Sequence, residues 1–500
     1  MALGEVEELR SSLPRAELLD FADRLVVPGL WDAHIHFYYW SLSHRQVRLS
    51  GCGSSGELLS RVEAWMEACP GSSWITGWGW NETLWDPPFM PGRRELDAVT
   101  GDRPALLWRS DMHSALANTP ALEAGGLMAA GSEVEGGVVD RAADGAPTGI
   151  LRELAIAPVR SRVPEPDEEA VLEAMREGVR LLHRRGVTGI CDQRMKDYTD
   201  GPRAFSALAR LERQRELPLR VSCNLAAHDL EHALGLGLRT GFGSDRLRLG
   251  HVKFFLDGTL GSRTAWMLEP FLEAGTGRAD DRGMIVTPLD ELEAEVRRAH
   301  RGGLSVSIHA IGTRANRACL EVLERLPGPT PPVPHRIEHV QFLAEEDLGR
   351  LAAVGVTASM QPAHALDDMD TVDAYLGPLG DCAYRFASLG RAGTLLAFGS
   401  DAPVADFDPF YGIRGAVLRR RPGRQAWYPK ERMSVEDTLR AYTGGAARAA
   451  GWGDLAGRLV PGMRADLAVL DTDLFARPKE PVQVLLTMFD AEIVYRLHSS

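Results

Sequence analysis

Eight short apolar runs recur along this chain, and segments of helical period separate several of them. No other feature limits the fold so tightly. The runs cover residues 25–36, 187–192, 219–224, 250–255, 304–309, 335–340, 356–360 and 395–401. Rich in Val, Ile, Leu and Phe, they read as strands. Residues 168–185, 202–214, 289–301, 314–325 and 344–353 are rich in Ala, Leu, Glu and Arg and read as amphipathic helices. Eight strands alternating with helices form the pattern of a (β/α)8 barrel, an α/β fold of the TIM type. Such a barrel gathers its active site at the C-terminal ends of its strands, so the residues closing the runs carry the functional information.

Those residues are of one chemical kind. His34-Ile35-His36 closes the first run, Lys253 lies in the fourth, His309 closes the fifth, His339 lies near the end of the sixth, and Asp401 closes the eighth. Side chains two apart on a strand share a face, so His34 and His36 can turn two imidazoles toward one ion. Five strand ends of eight carrying such groups is hard to explain by packing. Imidazole nitrogen and carboxylate oxygen suit zinc and similar divalent ions, and ligands drawn from several strands leave positions open for water. One ion lowers the pKa of bound water from 15.7 to about 7, and two ions about 3.5–4 Å apart can share it. A protonated lysine cannot join such a set. Beside Phe254 and Phe255, however, desolvation favours the neutral amine of Lys253, which could take up carbon dioxide as a carbamate and bridge two ions. The alternative is an ammonium paired with a carboxylate such as Asp257. His364, just past the seventh run, is placed to stabilise an oxyanion or orient substrate, or is simply a polar loop residue.

Composition narrows the partners. With 44% hydrophobic and 25% charged residues over 500 positions, this is an ordinary globular chain. A net charge of −13 argues against nucleic acid, whose phosphates demand basic patches. No apolar stretch is long enough to span a bilayer, and residues 1–19 lack the basic start and apolar core of a secretory signal, so a cytoplasmic protein is expected. The six cysteines are scattered without a C-x-x-C pair and read as small buried hydrophobes.

The longer strings are specific. Residues 252–265 (VKFFLDGTLGSRTA), His309-Ala310-Ile311-Gly312, Arg336-Ile337-Glu338-His339-Val340-Gln341 and Ser359-Met360-Gln361-Pro362 with His364, together with His34 and His36, resemble the amidohydrolase superfamily and within it the YtcJ-like branch, which includes N-substituted formamide deformylases. The resemblance implies a distorted barrel over residues 29–454, and a small β-sandwich domain built from residues 1–28 and 455–500. It also implies that His34, His36 and Asp401 hold one ion, His309 and His339 a second, and a carboxylated Lys253 bridges them. The implied reaction is hydrolysis of an amide-type C–N bond, with Asp401 taking the proton of the attacking hydroxide and returning it to the leaving amine. Hydrolysis of esters, lactones or cyclic ureas, or deamination, would use the same centre; a non-catalytic scaffold would have no reason to keep every ligand.

Two departures stand out. Thr313 occupies a position where similar proteins carry Asp, which touches a substrate or supporting contact rather than the metal. Only about two dozen residues precede the first barrel strand, so the N-terminal part of the small domain is expected to be abridged, or the true start to lie upstream. Specificity should reside in the insertion over residues 37–166, far longer than an ordinary barrel connection. It holds Trp40, Trp65, Trp74, Trp78, Trp80, Trp85 and Trp108, seven of eleven tryptophans. These either line a pocket for a small apolar or aromatic substrate or form the insertion's own core. Trp80, Asp111 and His113, with Asn118 nearby, are the candidate substrate contacts. A helix over residues 434–440 could pack on the barrel or on a second copy in a homodimer.

Overall fold

Strands buried on both faces need no polar alternation, and the barrel strands have almost none. In the computed structural model they are Leu30–Ile35, Val187–Asp192, Arg220–Ala226, Leu247–Phe255, Val306–Ala310, Arg336–His339, Thr357–Met360 and Leu395–Phe398. Each pairs in parallel with the next in chain order, giving a nearly closed eight-stranded sheet. Every residue of the first, second, fifth, sixth and seventh strands is buried, as parallel sheets covered on both faces require. The structure describes the whole chain apart from residues 1–3, 13–15, 83–84, 88, 111–113, 130, 135, 196–199, 273–279, 330 and 498–500. Asp111 and His113 lie outside the described residues.

The seam between the eighth and first strands is joined by specific bonds. Asp32 accepts from the Ser400 amide at 2.9 Å and its hydroxyl at 2.5 Å, the Asp401 amide donates to the His34 carbonyl at 2.7 Å, and the His36 amide to Ala402 at 2.9 Å. The approach is close enough that a Cβ on Gly399 would sit 2.3 Å from the His34 nitrogen. Only glycine fits there.

The run at 25–36 is two strands. Leu25–Pro28 pairs antiparallel with Leu467–Leu470, and the chain changes partners at Gly29, whose amide donates to Asp466 while that of Leu30 donates to Gly186. A Cβ on Gly29 would lie 2.1 Å from the Thr188 hydroxyl, so the switch has no room for a side chain. The small sheet made from both chain ends has four antiparallel strands, in the order Leu25–Pro28, Leu467–Leu470, Val484–Phe489 and Glu492–Arg496. Fully buried Arg220, from the third barrel strand, holds it through Asp466 at 2.8 Å and Asp490 at 3.2 Å.

The helices follow the expected stripe. In Leu289–Arg301, Leu292, Val296 and Ala299 are buried at spacings of four and three while the remaining face is charged. The helix expected near 434–440 is Val435–Arg440, capped by Ser434, whose hydroxyl accepts from the Asp437 amide. The chain beyond it packs on the barrel, where Ala446, Ala447 and Trp452 share a hydrophobic cluster with Trp31 and Ala397.

By contact pattern the chain forms two compact units, residues 1–38 with 176–500, and residues 39–175. The second carries a six-stranded mixed sheet that sequence periodicity did not reveal, in the order Val47–Arg48, Ile75–Trp80, Ala105–Arg109, Ser114–Ala117, Pro147–Glu153 and Gly137–Arg141. Trp80 and Trp85 belong to one of its hydrophobic clusters with Trp65 packed against it, and Trp74 and Trp108 pack against another. Among the described residues no helix is long and apolar enough to cross a membrane.

Candidate metal centre

The strand ends bring five histidines and one carboxylate together. His34 ends the first strand and His36 follows it; Asp401 stands three residues past the eighth strand in a left-handed conformation, φ +64°. That turn sets Asp401 Oδ1 3.2 Å from His34 Nε2 and 3.3 Å from His36 Nε2, with all three residues buried. His339, also left-handed at φ +74°, stacks its ring centroid 4.9 Å from His34 and 4.5 Å from His309. His364 opens the short helix His364–Asp367 and places Nε2 3.6 Å from the other oxygen of Asp401, Oδ2. Non-glycine residues with positive φ carry a conformational cost, and their clustering at His339, Val340 and Asp401 marks a functional constraint.

Hydrogen bonds identify which ring nitrogens are free to bind a cation. His34 Nδ1 lies 2.6 Å from Glu338 Oε2, and an ionised carboxylate can only accept, so Nδ1 carries a proton and Nε2 is the nitrogen left to face a cation. His309 Nε2 donates to the Gly258 carbonyl at 3.0 Å, leaving Nδ1 free. His339 Nδ1 pairs with Gln361 Oε1 at 2.8 Å, leaving Nε2. Buried His34 Nε2 has no hydrogen-bond partner despite the nearby carboxylate. An ion held at 2.0–2.2 Å in tetrahedral geometry sets its ligand atoms about 3.3–3.6 Å apart, which the separations of 3.2 and 3.3 Å approach. The donor set therefore fits a divalent ion.

The electrostatics agree. Burial opposes the charge of Asp401, but His34 outweighs it and the carboxyl stays well below its usual range. Burial and the Lys253 charge push His309 down to about 3, and burial with its histidine neighbours holds His339 well below the ordinary value. Both rings are neutral at physiological pH. Lys253 is almost wholly buried, 1% exposed, with Nζ 4.9 Å from the Phe255 ring centroid. Burial lowers it to about 8 against the opposing pull of Glu338 and Asp401. Asp257 is occupied elsewhere, accepting the backbone amides of Trp266, Ile311 and Gly312 at 2.8–3.0 Å.

Several residues that build this centre were not among the sequence candidates. Glu338 also accepts from Ser307 Oγ at 2.6 Å and lies 2.8 Å from Arg336 Nε, while Arg336 Nη2 donates to the Ala33 carbonyl and Ser359 Oγ. The signal was present in Arg336 and Glu338 flanking Ile337, because an apolar strand buried on both faces tolerates two charges only when they are paired. Thr313 starts the helix Thr313–Glu324 and its hydroxyl accepts the Leu268 amide at 2.8 Å, an anchor for the loop after the fourth strand. Trp80 is fully buried in the insertion's cluster, its indole N–H 3.4 Å from the Leu107 carbonyl. Asn118 caps a helix, accepting the Ala105 and Ala121 amides and donating to Thr100 and Arg103, so its amide is consumed by structure.

Comparison with known proteins decides the family. The model of the amidohydrolase family matches residues 17–495. The chain belongs to that family. Among curated relatives, this amidohydrolase is 34% identical to Protein LONG AFTER FAR-RED 3 of Arabidopsis thaliana over 467 residues, 90% of this chain and 78% of the relative. It is 29% identical to the putative amidohydrolase YtcJ of Bacillus subtilis over 98% of this chain and 93% of that one. It is 26% identical to the N-substituted formamide deformylase of Arthrobacter pascens over 98% and 92%. A crystal structure of an uncharacterized metal-dependent hydrolase from Pyrococcus horikoshii OT3 superposes with a TM-score of 0.76 at 28% identity, covering 94% of this chain and 90% of that one.

Proposed function

We propose that this amidohydrolase is a metal-dependent hydrolase that cleaves the amide or formamide C–N bond of a small N-substituted substrate, with His34, His36 and Asp401 holding a divalent ion such as zinc. The observation that carries the reading is Asp401 Oδ1 set 3.2 and 3.3 Å from two imidazole nitrogens, one of them buried without a hydrogen bond. His309 and His339 present their free nitrogens beside this group, and burial, by lowering Lys253 to about 8, increases the fraction of neutral amine able to take up carbon dioxide. The bond type is supported by similarity to a formamide deformylase over 98% of this chain, and the need for a metal by similarity to a metal-dependent hydrolase.

When bound, a divalent ion supplies a nucleophile by lowering the pKa of water to about 7. The chain supplies the rest. Asp401, ionised and buried, accepts the proton released as water attacks the carbonyl carbon, and its position at the mouth of the barrel lets it pass that proton to the departing amine nitrogen. Glu338 and Gln361 keep His34 and His339 from rotating while this happens. Incubating the zinc-loaded protein with a panel of N-formyl and N-acyl amines should release free amine; release only from ester or lactone panels would refute the C–N assignment.

A further inference from the structure

The connection after the fourth barrel strand runs over residues 256–288, far longer than a barrel ordinarily needs. Its near end is built into the corner that follows the fifth strand. Asp257 accepts from the Trp266, Ile311 and Gly312 amides, the Trp266 carbonyl accepts from those of Arg314 and Ala315 at 3.0 and 3.2 Å, and Thr313 takes the Leu268 amide. Two legs then run side by side. The Met267 and Phe271 amides on one leg donate to the Arg282 and Asp281 carbonyls on the other, both at 2.8 Å.

The far end rests on another part of the barrel. There the Leu272 amide donates at 2.8 Å to the carbonyl of Tyr375, near the end of the helix Met369–Leu376, which follows the seventh strand. The Phe271 ring meets that of Tyr375 nearly edge-on, with centroids 6.4 Å apart and planes at 79°, and the Arg263 guanidinium lies 5.6 Å from the same ring. A segment that leaves the fourth strand and rests beyond the seventh spans the sector of the mouth between them. That sector holds His309 and His339, at the ends of the fifth and sixth strands. The base of the segment touches His309 itself, through the Gly258 carbonyl.

We propose that the two legs, residues 256–272 and 280–288, form a strap across the approach to the metal centre, clasped at Tyr375, and that this clasp limits the bulk of the substrate's N-substituent. The proposal rests on the hydrolase reading above and names what selects its substrate. The two ends differ in kind. A buried carboxylate holding three amides fixes the near end, whereas the far end gathers on Tyr375 through ring contacts and a main-chain hydrogen bond, which can part and re-form as substrate enters. Leu272, Met284 and Ile285 stand 36–52% exposed on the strap, so a group passing it meets an apolar edge, which suits an apolar substituent better than a charged one.

The test compares the zinc-loaded full chain with Tyr375→Ala, Tyr375→Phe and Phe271→Leu on N-formyl amines whose substituent grows from methyl to benzyl to naphthylmethyl. Tyr375→Ala should raise kcat/KM for the bulkiest amine relative to the smallest by about tenfold or more, the scale on which the shape of a pocket discriminates. Tyr375→Phe keeps the ring and the carbonyl and should match the wild type, while Phe271→Leu should fall between and carries the test should Tyr375→Ala not fold. A loss in equal proportion across the series would overturn the proposal, since it would make the joint merely structural. A second readout needs no turnover: the rates at which zinc is lost to dipicolinate, a compact chelator, and to a bulky diphenyl-substituted phenanthroline. Opening the clasp should speed loss to the bulky chelator selectively, and an equal change with both, or none, would refute the strap. A wild type that cleaves none of the amines, in variants whose chelator rates still separate, would end the C–N reading and leave the strap standing.

Discussion

Glu338 illustrates how far a single side chain reaches in this centre. It receives the Nδ1 proton of His34 and is itself held by Ser307 and Arg336; burial would raise its pKa, but Arg336 and His34 keep it well below the usual range. Glu338→Gln should therefore weaken metal binding by roughly 10–100-fold in chelator competition, since residues supporting a metal-binding histidine typically matter by that factor. Affinity equal to wild type would show that His34 needs no such partner. Asp401→Asn should lower kcat by about 10²–10⁴, the usual contribution of a general acid–base, while His34 and His36 still retain an ion; unchanged turnover would remove Asp401 from proton transfer. His34, His36, His309, His339 and Asp401 were legible in the sequence because their side chains are what a metal site uses. Glu338 was legible only as a charge that a buried apolar strand must pair. That it pairs with His34, from the first strand, depends on the folded barrel, and no local pattern announces that contact.

Among the elements, the barrel strands were legible and the insertion was not. A strand buried on both faces is a continuous apolar run, and Val187–Asp192 emerged with the expected bounds. In the insertion, strands such as Ile75–Trp80 interleave glycine with tryptophan, so composition drew attention to the aromatic rings and hid the strand beneath them. Trp80→Ala should accordingly destabilise the insertion by about 3–5 kcal/mol in denaturant unfolding, as large-to-small core changes do. A rise in KM without loss of stability would instead make Trp80 a substrate contact. The helix–strand joints also hold neutral histidines. His183, at the end of Glu168–His183, lies 2.8 Å from the Pro218 carbonyl, and burial lowers it to about 4; His335 accepts the Val306 amide, pairs with His300 at 3.0 Å, and is pushed to about 3 by burial and that neighbour. Unfolding restores the ordinary pKa near 6.5, so the unfolded chain binds protons that the folded chain refuses. Stability should be full above pH 6.5 and fall as pH drops toward 4, by an amount on the order of 3 kcal/mol for His183. His183→Gln should flatten the dependence of Tm on pH across that window, and an unaltered slope would clear His183 of the effect.

At the scale of the molecule, the outline of a barrel with both chain ends forming a small sheet could be anticipated, whereas the exchange of partners at Gly29 could not. One apolar run serves two sheets there, and the signal for the change is steric, a clash with Thr188 that appears only when the strands are paired. Arg220 fastens the small sheet from inside the barrel wall, so Arg220→Met should leave Asp466 buried without its charge partner and cost about 3–5 kcal/mol in urea unfolding. A smaller cost would mean that water reaches the joint.

The seam gives the centre a place in time as well as in space. His34 comes from the first barrel strand and Asp401 from just beyond the eighth, and they meet only where Asp32 grips Ser400. A growing chain, however well its early strands have paired, lacks the carboxylate until residue 401 is made. Tight ion capture is then a report that the barrel has closed, and an ion bound there acts as a latch on its last joint, adding stability in proportion to the logarithm of its concentration over its Kd.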